Sequence, residues 1–110
     1  MLLSERVRIE VFLPDLPDPS YADLLAQLET EFSYAFGGCT VIAASGSFLS
    51  SDGSILPDRI NILFTDVPLE LQSDRLLISQ YVDRVSTAIH DALGEEEAVL
   101  VASYSVYHAD

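Results

Sequence analysis

Apolar residues recur along this chain with two different periods. Over residues 5–13 they alternate, with Val7, Ile9 and Val11 on one face and Arg6, Arg8, Glu10 and Phe12 on the other, the pattern of a half-buried strand. The proline-rich stretch 14–19 cannot continue a ladder. Ser20 stands three residues before Asp23, a variant of the capping box, and predicts a helix over 21–36 with Leu24, Leu25, Leu28 and Phe32 on one stripe. Gly37 and Gly38 end it. Residues 39–50 and 55–66 are strand-like runs around Asp52-Gly53, which predicts a hairpin with a two-residue type I′ turn. Ser51 would then pair with Ser54, Val41 with Phe64 and Ala43 with Ile62 toward the helices, and Ile42 with Leu63, Ala44 with Asn61 and Gly46 with Arg59 on the open side. Ile78, Val82, Val85, Ile89 and Leu93 recur at helical spacing within a second predicted helix, 72–93, stopped by Gly94. Residues 98–108 alternate again, with Leu100, Ala102, Tyr104 and Val106 read as the core face.

Strand, helix, hairpin, helix, strand is the βαββαβ order. It predicts a single α+β domain over residues 1–110, a ferredoxin-like two-layer sandwich with both helices on one face of an antiparallel sheet ordered 4-1-3-2. The other face of the sheet is left open. The parities above build it from Phe12, Ile42, Leu63, Val99 and Val101, with Arg6, Arg8, Glu10, Arg59, Asn61 and Tyr107 among them. An exposed face that apolar marks an interface, and the predicted partner is a second copy of the chain in a homodimer. Arg6 and Arg8 beside Tyr107, with Asn61 on the same face, are the candidate residues for a small anionic ligand such as a carboxylate or phosphate.

Charge narrows the choice of partners. Eighteen acids face five basic residues, all arginine, for a net charge of −13. Phosphate neutralisation depends on Lys and Arg, so this balance argues against nucleic acid and against anionic membrane surfaces. An apolar share of 49% with 21% charged residues predicts a folded domain. No run approaches the roughly 20 apolar residues of a membrane span, and no basic leader precedes an apolar stretch, so a cytoplasmic protein is predicted.

Candidate chemistry adds little. Cys39 has no second thiol and reads as a small core residue; His90 suits the end of the second helix. No nucleophile elbow, P-loop, zinc spacing or EF-hand loop is present, so no cofactor or metal is predicted and the chain reads as non-enzymatic. The alternative is a small dimeric α+β-barrel enzyme acting on a small organic acid, with His108 and Tyr107 as its polar catalytic groups and arginine holding the acid. A weaker third reading is an adaptor whose acidic helix face docks on a basic partner.

Other families of this fold can be tested on the residues. RNA-binding modules need basic charge and stacking aromatics where this reading places Arg8, Glu10, Asn61 and Leu63. Copper chaperones need two cysteines in the first loop, which holds none. One resemblance remains. Gly38-Cys39-Thr40-Val41, Gly46-Ser47-Phe48, Gly53-Ser54-Ile55 and the late Glu97-Ala98-Val99-Leu100-Val101 resemble a family of small uncharacterised proteins. These carry Gly-x-Thr-Val, Gly-x-aromatic and Gly signals around a central hairpin. The resemblance implies the same α+β fold and brings no established activity.

Overall fold

A computed structural model describes residues 2–94 and 100–109. The elements are β1 (Leu3–Pro14), α1 (Pro19–Phe36), β2 (Thr40–Leu49), β3 (Ile55–Val67), α2 (Arg75–Leu93) and β4 (Leu100–Ala109). The strands form one antiparallel sheet ordered β2-β3-β1-β4, which is the predicted 4-1-3-2 order, and the fold is the ferredoxin-like two-layer sandwich.

Local chemistry sets the element ends. Asp18, not Ser20, caps α1: its carboxylate accepts the Ser20 N–H at 3.0 Å, and Pro19 supplies a pre-set first helical residue. Gly37 closes the helix at φ +90°, its N–H donating to the Ser33 carbonyl. Tyr21, Leu24, Leu28 and Phe32 are the buried stripe, with Leu25 half-buried beside them. The second helix starts at Arg75, three residues later than its periodicity suggests, because residues 71–74 form turns.

The core lies between the helices and one face of the two central strands. Val7, Ile9, Val11 and Leu13 of β1 and Leu63 and Val67 of β3 meet Leu24, Leu28 and Phe32 of α1 and Ile78, Val85 and Ile89 of α2. Thr65 is the one buried polar residue among those described, and its hydroxyl donates to the Gly38 carbonyl at 2.7 Å. Burying a leucine as fully as Leu63 is stabilising by about 1.5–3 kcal/mol.

Two predicted registers are corrected. The hairpin turn holds three residues: Ser50 N–H donates to Ser54 at 2.8 Å, Gly53 N–H donates to Ser50 at 3.0 Å, and Gly53 sits at φ +88°. This is a turn followed by a left-handed glycine rather than a type I′ turn. Leu49 therefore opposes Ile55, Val41 opposes Leu63 and Ile42 opposes Ile62, one residue away from the expected pairing. The slip exchanges the faces of β3. Leu63 and Asn61 turn toward the helices, and Ile62 and Phe64 turn to the open face.

The last strand is inverted as well. Val7 opposes Ser105, Val11 opposes Val101 and Glu5 opposes Tyr107, so Val101, Ser103, Ser105 and Tyr107 lie on the helix side. Leu100, Ala102, Tyr104, Val106 and His108 face the open side. Valines and an alanine occur at both parities of this strand, so alternation alone did not decide its face. Small Ser103 fits where α2 passes, beside Ile78 and Val82.

The sheet outgrows its helices at one end. The β1–β3 ladder stops at Pro14 opposite Ile60, where Asp15 N–H donates to the Arg59 carbonyl and its carboxylate pairs with the Arg59 guanidinium at 3.0 Å. Beyond that point residues 45–49 and 55–59 continue as a two-stranded ribbon. The ribbon helps stretch the molecule to 50 × 27 × 22 Å.

Candidate functional site

Every even-numbered position of the central strands points away from the helices, and there Arg6, Arg8 and Glu10 of β1, Asp66 of β3 and His108 of β4 share one face. Arg8 sits between Asp66 on one side and Tyr104 on the other. Its Nε and one terminal nitrogen donate to the two Asp66 oxygens at 2.7 and 3.0 Å, a bidentate pair. The guanidinium carbon also lies 4.2 Å above the Phe64 ring centroid. His108 Nε2 is 3.1 Å from the second Asp66 oxygen. Next along the strand, the Tyr104 hydroxyl donates to Glu10.

Three of these groups, Asp66, Arg8 and Tyr104, have their titration shifted by their partners. The hydrogen bonds from Arg8 outweigh desolvation and hold the Asp66 carboxyl below the usual carboxylate range. Arg8 is raised in turn, first by its bond to Asp66. Tyr104 is raised chiefly by its hydrogen bond to the Glu10 carboxylate, with desolvation second. The arrangement is therefore a row of largely paired charges on a sheet, with one edge of the Arg8 guanidinium, Nε and a terminal nitrogen, taken by Asp66.

Apolar side chains surround that row. Phe12, Ile60, Ile62, Phe64 and Val106 are half-buried on the open face, and Ile42, Leu100 and Tyr104 are exposed. The strip continues onto the ribbon, where Phe48 is 50% and Leu56 40% exposed.

The predicted residues divide as follows. Arg6, Arg8, Phe12 and Ile42 stand on the open face, and His108 joins Arg8 through Asp66. Arg6 has no ion-pair partner among the described residues. Leu63 is in the core and Val101 packs against it, so neither is an open-face residue. Asn61 lies between Leu13 and Ala43 on the helix side, apart from the arginines. Arg59 belongs to the ribbon base with Asp15. Val99 lies outside the described residues. Tyr107 faces the helix side, its hydroxyl 3.5 Å from Glu5, while the next residue, His108, faces the other way. Tyr107 and His108 thus do not line one cavity, and the enzyme alternative loses its paired groups.

Sequence reasoning missed Asp66, Phe64 and Tyr104. Asp66 sits two residues past the apolar run of β3 with nothing in its local pattern to mark it; only the correct register brings it beside Arg8. Among the described residues, no helix is long and apolar enough to cross a membrane, and no group of three or more His, Cys, Asp or Glu is placed to hold a metal ion.

No family model matches the chain, and no curated protein matches it. Among solved structures it is similar to CPII, a nitrogen regulatory PII-like protein from Thiomonas intermedia K12, bound to ADP, AMP and bicarbonate. The similarity has a TM-score of 0.52 at 16% sequence identity and covers 99% of this chain and 100% of that one. At this identity the likeness is one of fold.

Proposed function

We propose that this chain is a small non-enzymatic regulatory module, acting in the cytoplasm, that self-associates through its open sheet face and responds to a small anionic ligand. One observation carries the self-association: Arg8, Asp66, His108 and Glu10 on that face already have partners inside the chain, Arg6 being without an ion pair among the described residues, and the residues around them are apolar. A face with unpaired charges resists burial, whereas a bidentate Arg8–Asp66 pair inside a rim of Phe, Ile and Leu side chains can be covered with little further desolvation. The eight-pair β1–β3 ladder and four strands define a face of roughly 19 by 27 Å, and with the ribbon about 700 Å² in projection. That is close to the ~800 Å² per partner of a standard interface. A dimer is the smallest assembly that covers it.

The anionic ligand is supported by the PII-like neighbour, whose structure holds ADP, AMP and bicarbonate. Arg6 is the cation on the open face still available to meet one.

Size-exclusion chromatography with light scattering tests the reading. The expected mass is at least twice the 12.1 kDa of one chain, persisting at high salt. Ile62→Glu and, on the edge strand, Ile42→Glu should each return it to one chain with an unchanged circular dichroism spectrum. A monomeric wild-type chain refutes the self-association. Thermal shift with ADP, AMP and bicarbonate in turn tests the ligand, and no shift with any of the three removes it.

A further inference from the structure

On the opposite side of the sheet lies a second polar site. A cleft of about 500 Å³ opens between the ends of β1 and β4 and the start of α2, lined by Glu5, Leu71, Gln72, Arg75, Ser105 and Tyr107. Its carboxylate is held in place from three directions. Glu5 Oε2 accepts the Leu71 N–H at 2.8 Å and faces the Ser105 hydroxyl at 3.4 Å, while Oε1 faces the Tyr107 hydroxyl at 3.5 Å. The bond to Leu71 ties the loop before α2 to β1, so this wall of the cleft is built and not merely adjacent.

Arg75, the first residue of α2, supplies the opposite charge. It lines the same cleft as Glu5, yet neither residue is in an ion pair among the described residues. The other acids of the loop are occupied within it: Glu70 accepts the Ser73 hydroxyl at 2.6 Å and Asp74 accepts the Glu70 N–H at 2.9 Å. The Leu71 side chain and the Tyr107 ring give the cleft apolar walls.

A carboxylate and a guanidinium that face one cleft without meeting are complementary to a molecule carrying both charges. We infer that this cleft binds a free L-α-amino acid with a small or branched apolar side chain. The ammonium meets Glu5 with the Ser105 and Tyr107 hydroxyls around it, the carboxylate meets Arg75 and the Gln72 amide, and the side chain lies against Leu71 and Tyr107. The site is on the helix side of β1 and β4, so its occupancy does not depend on the sheet-face association.

Isothermal titration of the full chain with L-alanine, L-valine and L-leucine tests this inference. At least one should bind saturably, one molecule per chain. For the tightest of them, the matching amine without the carboxylate and the matching acid without the ammonium should each bind at least about tenfold more weakly, because each leaves one charged partner unmet. Glu5→Gln keeps an acceptor for the Leu71 N–H, and Arg75 is exposed, so Glu5→Gln and Arg75→Gln should fold; each should weaken binding at least about tenfold. No saturable heat from any of the three up to about 10 mM overturns the inference, as does equal binding of either singly charged analogue or unchanged binding by both variants. Chromatography of the same samples separates this result from the self-association, since loss of either leaves the other measurable.

Discussion

Replacing Asp66 with Asn asks how much the central ion pair holds the sheet together. The substitution keeps the size of the side chain and one acceptor for Arg8, but removes its charge and one of two hydrogen bonds, at 2.7 and 3.0 Å. Charge-assisted bonds contribute about 1.5–3 kcal/mol each against the broken state. The 3–5 kcal/mol typical of a broken interior pair is too large here, because the Arg8 and Asp66 side chains remain 28% and 18% exposed. We expect a loss of about 2 kcal/mol, or about 8 °C in Tm for a domain of this length. Circular dichroism melts at fixed protein concentration give the number, since self-association would make Tm concentration-dependent. The pH dependence provides a second check. Asp66 is held below its unfolded value, so its contribution is fully present above the ordinary carboxylate range and is lost as pH falls below about 4. The gap between wild type and Asp66→Asn should be present at pH 7 and close toward pH 3. A cycle with Arg8→Met isolates the pair, because the Phe64 contact of Arg8 is lost in both arms that carry that change. A loss under about 0.5 kcal/mol, or an equal gap at pH 3 and pH 7, would refute the assignment of Asp66 as a stabilising hub.

Two further outcomes test the register and the helix layer. Leu63 and Phe64 are neighbours on opposite faces, so Leu63→Ala should cost about 2–5 kcal/mol in urea unfolding, while Phe64→Ala should cost less and act mainly on oligomer mass; the reverse ranking would restore the type I′ register. Tyr81 is pushed up to about 12, first by burial and then by Glu31, so ultraviolet titration of wild type against Tyr81→Phe should show one late tyrosine ionisation. Because the folded value is raised, the corresponding stability is intact below pH 10 and falls between about pH 10 and 12.

The element order, the antiparallel sheet and most of the core were legible from periodicity. Val7, Ile9 and Val11 stand where alternation put them, and both helices bury their predicted stripes. The faces of the outer segments were not. Asp52-Gly53 allows either a two-residue or a three-residue turn, and the choice depends on whether one or two residues take a left-handed conformation. Here only Gly53 does; Asp52 instead uses its carboxylate to accept the Ser54 N–H at 2.9 Å. That single residue moved Leu63 into the core and Phe64 out of it. For β4 the ambiguity lay in Leu100 and Val101, one apolar residue for each face. The site followed the register: Arg8 was placed, but Asp66 and Tyr104, its neighbours in space, were not.

The ambiguity is itself informative. A strand with one wet face should alternate, and β1 does, with Arg6, Arg8 and Glu10 set between valines and an isoleucine. The run Ile60-Asn61-Ile62-Leu63-Phe64 does not alternate; it reads like a strand buried on both sides. Helices cover one side of it through Leu63, while on the other Ile62 and Phe64 are only half-buried, with the Arg8 guanidinium over the Phe64 ring. The same holds for β4, where Leu100 and Val106 face outward while Val101 faces in. Alternation failed as a guide to face in the strands whose second face is apolar, and an apolar second face is what a protein keeps when another surface closes over it. The register error and the proposed self-association therefore share one cause, the apolar outer face of β3 and β4.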